Sequence, residues 1–444
     1  MSTTFDDNHS VWTVGAPPSE PLPPLAQDLT VDIAIIGGGF TGVSTAYHLS
    51  QRNPSLGIAL LEAKTLANGA SGRSGGMMLT GIHPDPDTET AIAEHSLTQG
   101  AIDDLCALIR DRQLAVRHRR EGSLKVCTTT ESAEAAHAEA EKLAARGVTV
   151  QFLRADQLGD RLRAQGAAGA IFDASEGVLN GVDLIRAMKP LLVAQGVQIF
   201  EGTPVTRVRE GKVVELETPR GTVRANAIVL ATNGYTPRLG YFRTGILPVI
   251  SHVIATEPLP AELRARGFGS ATAFSDDLPR LAYASIDFEG RLVFGGGTNA
   301  AYGYQFANRT ASAPKPDDRA ARAIRSTLTR YFPELASVPF QHRWSGPLGV
   351  TLARHCGMGV MGSHDNIYYA LGYSGHGIVL GNLAGRVLAD LYAGNHDPWR
   401  KYGFYNYRPS GIPPEPMRWI GYHVYTKLTG RSAFKKIQPA ATPG

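Results

Sequence analysis

Gly37, Gly39 and Gly42 close the run VDIAIIGGGFTG over residues 31–42, and the acid Glu62 stands twenty residues beyond the last of them. Residues of these types at this spacing hold a dinucleotide. Gly37 permits a tight turn, and Gly39 removes a side chain so that backbone N–H groups reach a pyrophosphate. Gly42 lets the helix close on its sheet. Phe40 and Thr41 fall in the first turn of that helix, whose positive end attracts the phosphates. Glu62 can accept hydrogen bonds from a ribose 2′-OH and would repel a 2′-phosphate, which argues against NADP. Ala63 and Lys64 continue into the stretch KTLANGASGRSGGMM, where Ser71, Gly72, Arg73, Ser74, Gly75 and Gly76 precede Met77. An NAD enzyme needs no such loop. Small residues with one cation suit an extended cofactor whose diphosphate and flavin ring run along the chain, with Met77 beside the ring.

These residues need a strand, a helix and a second strand to position them. Residues 31–36 are branched and apolar enough for a central parallel strand, and Val43, Ala46, Tyr47 and Leu49 recur at helical spacing in the segment that follows. The run GIALLE then ends in Glu62. Further along, helices are expected at 90–112, 131–146 and 316–331. Strands are expected at SLKVC, LPVISHVIATE, RLVFGGG and HRWSG.

With the fingerprint, the ASGRSGG loop and the segment NIYYALGYSGHGIVLGNLAGRVLADL at 366–391, the chain resembles the FAD-dependent D-amino-acid oxidase-like superfamily. Within it, the chain resembles the gamma-glutamylputrescine oxidase-like branch, whose corresponding pattern is GASGRNGG. The resemblance implies an α/β fold, with a Rossmann-like FAD-binding domain interleaved with an α+β substrate domain on a mostly antiparallel sheet. The FAD-binding domain is expected from 28–80, 170–235 and 350–395, and the substrate domain from 81–169 and 236–349. An extended arm at 1–27 and a C-terminal arm at 396–444 flank them. By the same resemblance, the backbone of Val205 in TPVTRV meets adenine, and Thr232 lies in the turn of ANAIVLATNGY that returns to the FAD domain. Gly372, Tyr373, Gly375, His376, Gly377 and Ile378 would set backbone N–H groups and a helix N-terminus against the flavin pyrimidine edge. A positive helix end there stabilises the charge gained on reduction. FAD is expected to be noncovalent: relatives attach it through a cysteine in the region matching 343–347, which has none, or through a histidine near the fingerprint helix, where only His48 stands.

The resemblance further implies oxidation of an amine to an imine, with O2 taking the electrons as hydrogen peroxide. Glycine oxidase-like members carry the pattern W-A-G-L-R-P-G-T-P-D, in which the arginine clamps a carboxylate. Here Trp344, Ser345, Gly346 and Thr351 fit that frame, with Gly346 beside the cofactor, but Leu348 and Ala353 replace the arginine and the aspartate. The α-carboxylate clamp is missing, which disfavours glycine, sarcosine and simple D-amino acids. Candidate residues about the reacting carbon are Tyr283, His252, His376 and Arg343, with Tyr302 and Tyr304 as further anchors.

Composition agrees with a soluble cytoplasmic enzyme. The 444 residues are 43% hydrophobic and 19% charged, and the formal net charge of +4 gives no reason to invoke nucleic acid. The start MSTTFDDNHS has no basic flank or apolar stretch of a secretory signal. Cys106, Cys127 and Cys356 are odd in number and far apart, which suggests reduced thiols and no metal site. Nothing in the composition specifies an oligomer. The tail segment 417–436 carries five basic residues and no acid, interleaved with Trp419, Ile420, Val424 and Leu428. Such a helix can lie on an anionic membrane; docking on the FAD domain or on a second subunit is the favoured role. Three readings compete: a soluble amine oxidase, a peripheral membrane amine dehydrogenase that feeds quinone, and a non-catalytic flavin-binding subunit.

Overall fold

The computed structural model describes residues 9–81, 89–270, 273–304, 306 and 318–433. The strand Leu29–Ile36 is buried at Val31 and from Ile33 through Ile36, and it runs parallel between Gly221–Leu230 and Ile58–Leu61. Gln198–Phe200 extends the parallel order past Ile58–Leu61, and Ile367–Leu371 extends it past the C-terminal half of Gly221–Leu230. Arg207–Arg209, Val214–Thr218 and Gly357–Met361 add antiparallel edges, which makes a mixed eight-stranded sheet. Parallel strands are buried on both faces and need helical cover. Phe40–Arg52 and Gly377–Tyr392 supply it on one face and pack against each other.

A second sheet has nine strands. Leu247–Pro258 pairs antiparallel with Phe340–Val350 along one edge, and with Arg291–Gly296 and Tyr302–Tyr304 along the other. The order continues through Ala282–Ile286, Ala273–Asp276, Ser123–Cys127 and Gly169–Asp173 to Val150–Arg154. Ser123–Cys127 runs parallel to Ala273–Asp276, which makes this sheet mixed as well, while the other pairings among its described strands are antiparallel. Its core is aromatic: Phe268 stacks on Phe332 with ring centroids 4.8 Å apart, and Phe274 meets both. Met77–Met78, Gly177–Leu179 and His118–Arg119 form a small third sheet.

Strands of the first sheet come from three separated stretches of chain and alternate with those of the second. Gly169–Asp173 departs from the expected boundary at 170: it pairs with Ser123–Cys127 and Val150–Arg154 in the second sheet. The expected helices form as Glu89–Asp111, Thr130–Ala145 and Asp318–Tyr331, with 316 and 317 outside the described residues. The N-terminal arm is not wholly extended, because Val11–Thr13 forms a 3-10 turn with Trp12 buried. The tail contains the helix Met417–Ala433, and the basic residues at 435 and 436 lie outside the described residues. Among the described residues no helix is long and apolar enough to cross a membrane.

Candidate active site

A cavity of about 2500 Å³ is walled by the ends of the first-sheet strands and by one face of the second sheet. Gly37 turns the chain out of its strand at φ +111°, where a Cβ would lie 2.9 Å from the carbonyl oxygen of Ala231. A Cβ on Gly42 would lie 1.9 Å from the Gly37 oxygen, so Gly42 packs the helix and lines no part of the cavity. Gly39 caps Phe40–Arg52 without a side chain, no acid occupies the first turn, and the Phe40 N–H donates to Ser71 Oγ at 3.0 Å. The positive end of this helix therefore opens on the cavity beside Gly37, Gly39, Phe40 and Thr41. Glu62 also lines it. Its carboxylate accepts from the N–H groups of Gly38 at 2.8 Å and Lys64 at 2.9 Å, while burial raises its pKa. Ala63 lines the wall, whereas Lys64 stands outside it and turns its N–H to Glu62, which corrects its expected role at the cofactor.

Ser71, Arg73, Ser74, Gly75 and Met77 line the same cavity. Gly72 and Gly76 do not, because they are packing positions: a Cβ on Gly72 would meet the Ala67 oxygen at 2.1 Å, and one on Gly76 would meet the Trp12 ring at 2.4 Å. Trp12 Nε1 donates to Ser74 O at 2.7 Å, and Trp344 Nε1 donates to Arg73 O at 3.0 Å. Two indoles thus fasten the loop. Trp344 is visible in its motif, but Trp12 sits in a Pro-rich arm with no local signal for a buried role.

The glycine loop supplies the opposite wall through Tyr373, Gly375, His376, Gly377 and Ile378. Tyr373 OH and Thr41 Oγ1 lie 2.7 Å apart and tie this loop to the fingerprint helix. Gly372 stands behind the wall, where its N–H donates to Asn233 Oδ1 at 2.9 Å. His376 caps Gly377–Tyr392 without a side-chain bond, so a second helix N-terminus faces the cavity. Burial pushes His376 down to about 4, and its ring is neutral at neutral pH. Val205, Thr232 and Gly346 complete this part of the wall.

Tyr283 and Tyr302 line the substrate side, and Tyr283 OH lies 3.2 Å from Ser251 Oγ. Burial raises both phenols, so both stay protonated. Two expected residues are corrected. Strand alternation turns Ser251 into the cavity and His252 away from it. Arg343 is half exposed and pairs with Asp318 at 2.6 Å, outside the cavity. Tyr304 also lies outside, with its hydroxyl donated to Glu415. Leu348 lines the cavity, whereas Ala353 is exposed and does not.

A polar group absent from the sequence reading lines one end. Thr80 Oγ1 lies 2.8 Å from Glu176 Oε1 and 2.9 Å from Asp173 Oδ2, and His95 Nε2 lies 3.1 Å from the same Asp173 oxygen. Thr80 and His95 stand 15 residues apart, whereas Asp173 and Glu176 come from a distant stretch of chain, and only the fold brings the two pairs together.

Residues 32–391 match the family described as FAD dependent oxidoreductase, DAO. The chain is 27% identical over 402 residues to gamma-glutamylputrescine oxidoreductase of Escherichia coli, covering 87% of this chain and 89% of that protein. It is 26% identical over 381 residues to glycine oxidase of Geobacillus kaustophilus, covering 81% and 92%. The crystal structure of glycine oxidase from Geobacillus kaustophilus superposes with a TM-score of 0.73 at 21% identity, covering 86% of this chain and all of that one, which shows a shared fold.

Proposed function

The chain belongs to the FAD dependent oxidoreductase family, and on that premise we propose that it oxidises the C–N bond of an amine to an imine, with O2 as acceptor and hydrogen peroxide as product. FAD, when bound, supplies the acceptor for the hydride that leaves the carbon beside nitrogen. The residues present fit that cofactor. Two helix N-termini, at Gly39 and His376, face one cavity, and Glu62 stands at the end of the second strand to meet a ribose. Noncovalent binding is supported by the wall itself, which includes none of Cys106, Cys127, Cys356 and His48. Burial lowers His48 to about 4, with the Arg52 and Arg386 charges adding to the effect.

The observation that carries the substrate reading is Leu348. It stands in the cavity wall, locked opposite Val249 by strand register, where the glycine oxidase-like pattern has its carboxylate-binding arginine. An apolar side chain there leaves an α-carboxylate without its partner, and burying an unpaired charge is costly. Tyr283 and Leu348 hold the reacting carbon and exclude water. Desolvation between them favours the neutral amine, the form with a lone pair available for the C=N bond. Relatives named for gamma-glutamylputrescine and for glycine support an amine in general. Anaerobic mixing with polyamines, N-acylated diamines and cyclic imino acids tests this reading: at least one should bleach the flavin, and bleaching by none would overturn it.

One observation favours a second reading, a peripheral enzyme that passes electrons to quinone. Met417, Ile420, Val424 and Leu428 recur at helical spacing along Met417–Ala433, and all are exposed. Cosedimentation with anionic vesicles, lost when residues 415–444 are deleted, together with turnover by quinone but not O2, would select it.

A further inference from the structure

The Thr80 hydroxyl has one hydrogen but faces two carboxylates, at 2.8 Å from Glu176 Oε1 and 2.9 Å from Asp173 Oδ2. With both carboxyls ionised, only one of these contacts can be a hydrogen bond. One proton shared between the carboxyls makes both bonds: one acid donates to Thr80 Oγ, which donates to the other carboxylate. The surroundings fix the geometry. Glu176 accepts from the Thr80 N–H at 2.6 Å and from Ser123 Oγ, and Asp173 accepts from the Ser175 N–H at 2.8 Å. His95 Nε2 lies 3.1 Å from Asp173 Oδ2 and 3.2 Å from Thr80 Oγ1, and His95 is the most exposed member of the group, with 17% of its side chain accessible. All four residues line the cavity that holds Tyr283 and Leu348.

We infer that Glu176, Thr80, Asp173 and His95 form a proton relay that takes up the proton a substrate ammonium must lose before hydride can leave. The inference rests on the amine reading above. In the step, an N–H bond of the ammonium breaks and its electron pair stays on nitrogen. The proton bonds to His95 Nδ1 as the Nε2 proton passes to Asp173; Asp173 in turn gives a proton to Thr80 Oγ, whose own hydroxyl proton bonds to Glu176, so that His95, Asp173 and Thr80 end as they began. No electrons change hands, and the net result is a neutral amine and a protonated Glu176.

Burial, with the Asp173 charge beside it, pushes Glu176 up to about 7, so it can take or give a proton near neutrality. Burial also acts on Asp173, but bonds from His95 and Ser175 outweigh it and keep that carboxyl below its usual value. Other charged groups face the relay from neighbouring elements. Lys125, 3.8 Å from Glu139, shares the strand face of Ser123, and His376 faces it from the glycine loop. Arg120 bonds the Ser175 oxygen, and Glu94 lies beside His95 in sequence, paired with His355 at 3.4 Å.

Thr80→Val keeps the backbone bond to Glu176 and removes the bridging hydroxyl, and Glu176→Gln removes the terminal acceptor. In anaerobic stopped flow, the wild-type rate of flavin reduction should rise with pH through an ionisation near that of Glu176. Both variants should lose that ionisation and fall about a hundredfold near neutrality, with FAD content retained. In the wild-type holoenzyme an infrared carboxylic-acid band should fade over the same pH range, and Glu176→Gln should lack it. A wild-type pH profile in Thr80→Val overturns the relay, as does persistence of the band in Glu176→Gln, whatever the substrate. Failure of every amine to reduce the wild-type flavin overturns the amine reading and the relay with it, and the band distinguishes that failure from the others.

Discussion

Gly385 and Ser44 bring two helices into backbone contact: a Cβ on Gly385 would lie 2.2 Å from Ser44 Oγ and 2.4 Å from the Ser44 carbonyl carbon. Ser44 Oγ also donates to Asn382 O at 2.6 Å across the same crossing. The crossing sets the N-termini of Phe40–Arg52 and Gly377–Tyr392 side by side over one cavity. Two positive helix ends then face the same space, where their fields add.

Gly385→Val should separate these helices. Overpacking a fitted contact costs about 1–3 kcal/mol, so the expected result is a lower melting temperature with less flavin per protein. Thermal unfolding and the flavin spectrum of the purified variant measure both. Unchanged stability and loading would show that the crossing tolerates a wider spacing.

Gly39→Val should prevent cofactor loading. A Cβ there would lie 2.6 Å from Ser71 Oγ, the group that accepts from the Phe40 N–H, and the added methyls would reach the diphosphate's approach. In the wild type, acid precipitation should release all flavin as FAD. Colour left in the pellet would refute noncovalent binding.

Glycine, sarcosine and D-alanine should reduce the wild-type flavin at least about a hundredfold more slowly than the best amine, since Leu348 gives a carboxylate no charged partner. Stopped-flow reduction under argon measures the ratio. Comparable rates would mean that another cation replaces the clamp.

Arg343→Ala should leave flavin reduction and the melting temperature unchanged, because the Asp318 pair is exposed and away from the cavity. Tyr283→Phe, inside the wall, should alter the Michaelis constant or the reduction rate. An activity loss in Arg343→Ala would show that the second sheet transmits changes to the site.

Glu176 ties stability to pH. Its pKa is raised from 4.5 to about 7 in the folded protein, so its contribution is fully present below the unfolded value and is lost as pH rises through 7. Glu176→Gln should flatten the fall in stability across that window. Chemical unfolding at a series of pH values checks the slope, and an unaltered slope would place the titration elsewhere.

The dinucleotide cradle is legible in the amino-acid sequence, because its information is local. A strand, a turn that needs Gly37 at positive φ, a helix that needs Gly42 for close packing and an acid at the next strand end are all encoded within residues 31–62. The missing clamp at Leu348 was legible for the same reason, within one short motif. Which side chains reach the cavity depends on the packing of distant segments. His252 and Arg343 have suitable chemistry, yet strand direction and register turn them away, while Ser251 and Tyr283 face inward. Trp12, Thr80, His95, Asp173 and Glu176 gain their roles from partners far away in the chain: Trp12 Nε1 reaches Ser74 O, and Thr80 reaches Glu176 and Asp173. Burial by distant segments sets both the hydrogen bonds and the proton affinity of such groups, and no local pattern of residues specifies it.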